Sequence, residues 1–159
     1  ETRHPFVVKL LCSFQDEADV HLVLEHHRCD LSMRIADYTA LNKAFPRDLL
    51  RFYIAELCAA VAVLHADGII HRDIKPANIL IDTDGHLVLA DMGMATEPLP
   101  MAAAARAPIS PAWVRAGDSV AHVHALEARA GTYYYTAPEI LMGWQYGSAV
   151  DWWSVGAVM

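Results

Sequence analysis

At Pro46 the hydrophobic pattern of this chain changes period, and that change sets the class of fold open to it. From there to Ala66, the residues Leu49, Leu50, Tyr53, Ile54, Leu57, Val61 and Leu64 recur at three- and four-residue steps, the spacing of one helix face. Pro46 suits a first helical turn and Asp67-Gly68 a stop. Before this helix, residues 6–14 and 20–25 are strand-length, β-rich runs separated by Gln15-Asp16-Glu17-Ala18-Asp19, which predicts an antiparallel hairpin. A polar break, His26-His27-Arg28-Cys29-Asp30, follows them. Beyond the helix, runs 79–81 and 86–90 flank Asp82-Thr83-Asp84-Gly85, the signature of a second hairpin. Pro138 to Met142 and Ala149 to Met159 read as helical again. Strands first and helices afterwards predict an α+β layout, mostly helical in its second part. Residues 96–130 are rich in Ala and Pro and weak in period; a stretch this long is either functional or partly disordered.

Composition narrows the function classes. A chain of 159 residues suits one domain, and 55% hydrophobic with 19% charged residues is not the balance of a disordered chain. Twelve Lys and Arg against nineteen Asp and Glu leave a net charge of −7, with no basic stripe for nucleic acid or an anionic membrane. Cys12, Cys29 and Cys58 are scattered and form no CxxC pair, which argues against a disulfide framework or zinc site and for a reducing, cytoplasmic setting. No apolar run approaches the ~20 residues that a membrane helix needs.

The chemistry concentrates in His71-Arg72-Asp73-Ile74-Lys75-Pro76-Ala77-Asn78, followed by Asp91-Met92-Gly93. Phosphoryl transfer needs a carboxylate to orient and deprotonate a hydroxyl, oxygen ligands for Mg²⁺, and a cation to offset charge on the transferring group. Asp73 can serve as the carboxylate, Asn78 and Asp91 as the ligands, and Lys75 as the cation. Gly93 is expected to let the backbone turn sharply after Asp91. This spacing matches a known catalytic motif set.

These motifs make the chain resemble the central part of a eukaryotic protein kinase domain. Gly131-Thr132-Tyr133-Tyr134-Tyr135-Thr136-Ala137-Pro138-Glu139 resembles the substrate-docking loop and Ala-Pro-Glu motif; Asp151-Trp152-Trp153-Ser154-Val155-Gly156 resembles the start of the central helix. His4-Pro5-Phe6-Val7-Val8-Lys9-Leu10 and Val23-Leu24-Glu25-His26-His27 resemble the fourth strand, and the fifth strand with its hinge. Lys75, two residues after Asp73, marks the serine/threonine type, and the wording around Gly131 and Asp151 is most like the AGC group.

The resemblance implies a two-lobe kinase fold: residues 1–25 from the β-rich lobe, 26–30 the hinge, and 31–159 the helical lobe with an activation segment at about 91–139. It implies ATP and Mg²⁺ as cofactors and proteins with Ser or Thr acceptors as substrates. Asp73 would be the base, Lys75 the neutraliser of γ-phosphate charge, and Thr132 a bridge between them. Asn78 and Asp91 would hold Mg²⁺. The backbones of Glu25 and His27 would meet adenine, Leu24 would be the gatekeeper, and Leu80 would lie beneath the ring. Asp30 would reach the ribose or a basic substrate residue. Asp151 would hold the His71-Arg72 backbone, and Arg72 would bind a phosphate on the activation segment. His71 is expected to support the core, and Glu139 to be structural.

Some residues depart from the family pattern. Met92 stands where Phe is usual, a slot that a flexible thioether can fill. Forty-three residues separate Gly93 from Ala137, a long insert, and Ala128 occupies the place of the activating Thr. Ser110, Ser119 and Thr96 are then the candidate phosphate carriers. Ala77 replaces a Glu frequent in basophilic members. The Gly-rich loop, its partner Lys and a helical Glu would precede Glu1, so the chain is expected to be a fragment, inactive alone. A non-catalytic, pseudokinase-like scaffold is the alternative. Elsewhere the plainer readings hold: His21, His26 and His27 as solvent-facing side chains, Asp82 to Gly85 as a turn with no calcium role, and the α-helical stripe as core.

Overall fold

A computed structural model describes residues 4–97, 132–144 and 146–159. They divide into two compact units. The first takes in the described residues up to Val63 together with Pro76–Asp91; the second comprises Leu64–Lys75 and the described residues from Met92 onward. Ser110, Ser119, Ala128 and Gly131 lie outside the described residues.

In the first unit, β1 (Leu10–Gln15) and β2 (Val20–Leu24) form the predicted antiparallel hairpin, with Gln15 opposite Val20 and Leu10 opposite Leu24. A bulge at Leu11 shifts the register. Its turn is held by Asp16, whose Oδ1 accepts from the amides of Ala18 (2.9 Å) and Asp19 (2.8 Å). Asp16 Oδ2 lies 2.7 Å from Nε2 of His21, a ring that stacks on Phe14. Leu10, Leu11, Phe14, Val20, Leu22, Val23 and Leu24 all expose much of their surface.

The run expected as one strand over 6–14 is divided between two sheets. Phe6 to Val8 pairs with the other sheet: the Val8 amide donates to the Leu89 carbonyl (2.9 Å) and the Leu89 amide to Phe6 (2.8 Å). Only from Leu10 does the chain pair with β2. A continuous apolar run carries no mark of a change of partner.

That other sheet has the order β3 (Cys29–Asp30), β4 (Ile79–Ile81), β5 (Leu87–Leu89), antiparallel throughout. Ile79, Ile81, Leu87, Val88 and Leu89 are buried. In the β4–β5 turn Asp82 Oδ1 accepts from the amides of Asp84 (2.9 Å) and His86 (2.8 Å), and Gly85 takes φ +90°, where a side chain would be strained. The polar break at 26–30 thus ends in a short strand and a helix start. Asp30 caps α1 (Leu31–Ala40), its Oδ1 accepting from the Met33 amide (2.9 Å) and from the Ser32 hydroxyl. Asn42, at φ 51°, terminates that helix with its amide on Thr39 O (2.9 Å).

Helix α2 (Arg47–Ala66) follows the predicted span, with the Pro46 carbonyl accepting from the Leu50 amide (2.9 Å). It is long and apolar enough to cross a membrane, contrary to the sequence expectation. Its stripe of Tyr53, Leu57, Ala60, Val61 and Leu64 is buried within the protein, however, and Glu56 shares that face.

In the second unit, the end of α2 closes at Gly68 (φ +72°), with the amides of Gly68 and Ile69 bonded to His65 O (3.1 Å) and Leu64 O (2.8 Å). Ile70 then bridges Thr96 through both backbone bonds. Ile70, Ala137 and Val150 form a buried cluster, with Ile140 and Tyr146 packed against it. A 3₁₀ turn at Thr132–Tyr135 leads to α3 (Pro138–Leu141), and α4 (Ala149–Val158) follows. Ser154 of α4 donates its hydroxyl to Tyr135 O (2.6 Å). Small antiparallel sheets followed by helices give the expected α+β class.

Candidate active site

The site is built outward from Asp151. This carboxylate, in the first turn of α4, is fully buried. Its Oδ2 accepts from the His71 amide (2.8 Å) and faces His65 Nε2 (2.8 Å), while Oδ1 accepts from the Arg72 amide (2.8 Å). A buried carboxylate is tolerated when donors replace its water, and here three converge. The His65 ring also meets Trp152 edge-on at 5.6 Å. His65 has no part in the sequence reading, because its pairing with Asp151 spans 86 residues.

Those bonds hold a strained segment. Arg72 has φ 66°, a left-handed conformation that costs a non-glycine residue ~1–3 kcal/mol unless its surroundings impose it. Its side chain is held as well: Nε donates to Met94 O (2.6 Å) and a terminal nitrogen to the Tyr146 hydroxyl (2.6 Å). Among the described residues, the guanidinium expected to meet a phosphate on the activation segment donates to these two oxygens.

Next along the loop, the Asp73 amide donates to Nδ1 of the buried His71 (3.2 Å). Lys75 Nζ lies 2.7 Å from Asp73 Oδ2, with side chains only 12% and 6% exposed. Oppositely charged groups in such a poorly hydrated place interact more strongly than a surface pair. The side chain of Thr132, the expected bridge, lies outside what the structure describes.

In the first unit, Asn78 ends the 3₁₀ turn Pro76–Asn78 and is buried. Its carbonyl accepts from the Ala90 amide (2.9 Å), so the antiparallel pairing of β4 and β5 brings Asn78 and Asp91 to the same end of one hairpin. Two oxygen-bearing side chains there fit a Mg²⁺ ion, which takes one or two protein ligands and fills its shell with water and phosphate. Asp91 is itself left-handed, at φ 65°. Directly after it, Gly93 lies within the 3₁₀ turn Met92–Met94. A carboxylate at the turn itself is aimed by the strained backbone.

The remaining candidates are also in the first unit, apart from Glu139. The Glu25 amide donates to Lys9 O (3.0 Å), tying the end of β2 to β1. His27 is half-buried, and Leu24 exposed. Leu80 sits mid-strand in β4, paired with Asp30 and Val88, on the face opposite the buried Ile79 and Ile81. Asp30 spends one carboxylate oxygen on the α1 cap. Glu139 is half-buried in α3, its carbonyl accepting from the Trp144 amide (2.8 Å). Among the described residues no group of three His, Cys, Asp or Glu side chains could hold a metal.

Glu56 was not legible as more than a helix residue. It is buried on α2 with Oε1 2.6 Å from His86 Nδ1 and Oε2 accepting from the Leu87 amide (2.8 Å). The one available sign was an acid at the three- and four-residue spacing of the apolar stripe, three residues from Tyr53 and four from Ala60.

Comparison with known proteins gives the family. The family described as Protein kinase domain matches residues 1–159. The chain is 35% identical to the Arabidopsis thaliana "Probable serine/threonine protein kinase IRE" over 99% of its own length and 14% of the relative's. It is 36% identical to human "Ribosomal protein S6 kinase alpha-3", covering all of this chain and 18% of the relative. It is 38% identical to the Arabidopsis "Serine/threonine-protein kinase AtPK1/AtPK6", covering 98% and 28%. The chain therefore spans between about a seventh and just over a quarter of the length of these relatives, and it belongs to the protein kinase domain family.

Proposed function

We propose that the protein carrying this chain transfers the γ-phosphoryl group of ATP to Ser or Thr residues of proteins. The observation that carries the reading is the Lys75–Asp73 pair at 2.7 Å, on a loop whose backbone is fixed by a fully buried Asp151. Asp73 aligns the acceptor hydroxyl and takes its proton as the oxygen attacks phosphorus; the γ-phosphoryl–oxygen bond to ADP breaks, leaving a phosphoester and ADP. Lys75 holds Asp73 before substrate binds and offsets phosphate charge afterwards. Asn78 and Asp91 would hold Mg²⁺, which supplies charge neutralisation on the phosphates.

The backbone of residues 25–27 is assigned to the adenine and Leu80 to the ring face, with residues 1–25, 26–30 and 31–159 corresponding to β-rich lobe, hinge and helical lobe. The chain by itself is assigned no activity. Support comes from the uncovered apolar side chains of β1 and β2 and from relatives several times longer. A two-stranded ribbon is marginal in water without further packing.

The test is radiolabel transfer from γ-labelled ATP to a mixed Ser/Thr peptide library by the full-length protein and its Asp73→Asn variant. Label on the library with wild type, and at least a hundredfold less with the variant, is expected. Equal labelling by both overturns the assignment.

A further inference from the structure

We propose that Glu56 is a positioning residue for Asp91: its carboxylate stands in for the strand neighbour that β5 lacks at Leu87, with His86 setting how firmly it does so. The link to nucleotide binding rests on the kinase reading; the brace on β5 does not.

Strand β5 has two edges to satisfy. Toward β4 the pairing is continuous: the Asp82 amide donates to His86 O (2.9 Å), Val88 lies opposite Leu80, and the Ala90 amide donates to Asn78 O (2.9 Å). On the other edge, Leu89 exchanges bonds of 2.8 and 2.9 Å with Phe6 and Val8. That neighbour stops short of Leu87, because the chain turns at this point, with the Val7 amide on His4 O (3.1 Å). The Leu87 amide is buried, and an unmet buried donor is costly. Glu56 Oε2 meets it at 2.8 Å, so a side chain of α2 completes the edge of a three-residue strand. Four residues on, the same backbone delivers Asp91, whose left-handed conformation has to be imposed by its surroundings. Freeing Leu87 would leave only the far end of β5 to impose it.

The other carboxylate oxygen, Oε1, lies 2.6 Å from His86 Nδ1. The Glu56 side chain is 7% exposed and that of His86 49%, so a buried acid meets a base that solvent can protonate. His86 also faces Asp82 and Asp84 of its own turn, Phe52 of α2 at 5.5 Å, and Phe6 at 6.3 Å, with His4 edge-on to Phe6 at 5.3 Å. Protonated, the imidazole gives the carboxylate a charged partner; neutral, it offers a neutral N–H. Its bond to Glu56 raises the imidazole above 6.5. The hold is therefore firmest below that value and loosens as pH rises through the raised one.

The experiment uses the full-length protein as wild type, Glu56→Gln, Glu56→Ala and His86→Gln, with ADP as the probe. ADP affinity is measured with and without Mg²⁺, and hydrogen exchange is read at the amides of residues 87–91. Glutamine keeps an oxygen for the Leu87 amide; alanine removes it. Loss of such a bond corresponds to roughly a tenfold effect. In Glu56→Ala, exchange at 87–91 and the ADP dissociation constant with Mg²⁺ should both rise about tenfold, with Mg²⁺-free affinity within about twofold. Glu56→Gln should return both to within about threefold of wild type. From about pH 6 to about pH 8, wild type should lose about threefold of its Mg²⁺-dependent affinity relative to His86→Gln. A merely structural role would lower the fraction of protein that binds and leave the Mg²⁺-dependent constant unmoved. Unchanged exchange in Glu56→Ala, or equal losses with and without Mg²⁺, overturns the proposal. If Glu56→Ala does not fold, the pH profiles decide, and parallel profiles for wild type and His86→Gln overturn it. A wild type that binds no ADP with Mg²⁺ sinks the kinase reading, while exchange at 87–91 still decides the brace.

Discussion

Glu56 reaches from α2 across to the β4–β5 turn and holds His86 by Nδ1 at 2.6 Å, while its other oxygen takes the Leu87 amide at 2.8 Å. One buried carboxylate thus fixes both the end of the turn and the start of β5, the strand that leads to Asp91. The bond from Glu56 holds the His86 imidazole above its usual value of 6.5, with the charges of Glu56, Asp82 and Asp84 acting in the same direction and burial opposing them.

The sign of the pH dependence follows. A histidine whose folded pKa is raised adds stability that is fully present below 6.5 and lost as pH rises through the folded value. The melting temperature of the full-length protein should fall as pH climbs from below 6.5 through the raised value. His86→Gln should remove that part of the slope. Parallel melting curves for the two proteins across this range would show that His86 contributes nothing.

Glu56→Ala should cost about 1–3 kcal/mol, because the buried Leu87 amide loses its acceptor and stays dry. Urea unfolding at pH 6 measures this directly. A cost near zero would mean that water or another group replaces the carboxylate.

Asp151→Ala should be the more severe change, about 3–5 kcal/mol, since three donors lose one fully buried acceptor. Where the variant still folds, turnover should fall along with stability, because the left-handed Arg72 backbone loses its tether. Calorimetry and initial-rate kinetics on one preparation read both effects.

Asp91→Ala and Asp73→Asn should separate by which step they damage. Removing Asp91 should weaken nucleotide binding in the presence of Mg²⁺ and leave Mg²⁺-free binding unchanged. Asp73→Asn should leave both affinities within about twofold and remove turnover. Titration with and without the metal, followed by rate measurements, distinguishes them.

The 159-residue chain expressed alone should bind a dye for exposed apolar surface and should aggregate. Phe14, Val20 and Leu22 stand largely uncovered on a hairpin of two strands. Charged replacements at Val20 and Leu22 should lower dye binding. A monodisperse chain that ignores the dye would contradict this.

What could be read from the sequence was what local pattern encodes. The α2 stripe, both hairpins and the helix after Ser148 follow from period and turn residues, each within a short window. Asp73, Lys75, Asn78 and Asp91 stood out because their spacing is a motif. Helix α1 escaped notice because Leu31 is its one buried residue, which leaves no apolar stripe to detect. Its cap, Asp30, had instead been assigned to ligand binding. The pairs Glu56–His86, His65–Asp151 and Arg72–Tyr146 join residues 30, 86 and 74 positions apart, and no local pattern carries such pairings.

Arg72 and Asp91 sit where glycine would rest more comfortably. Glycine at either place would relax the backbone, but it would delete a guanidinium or a carboxylate, and at Arg72 the hydrogen bonds to Met94 O and the Tyr146 hydroxyl with it. The two strained backbone positions are thus also two whose side chains the proposed chemistry uses, so strain cannot be relieved there by glycine without giving up the groups it positions.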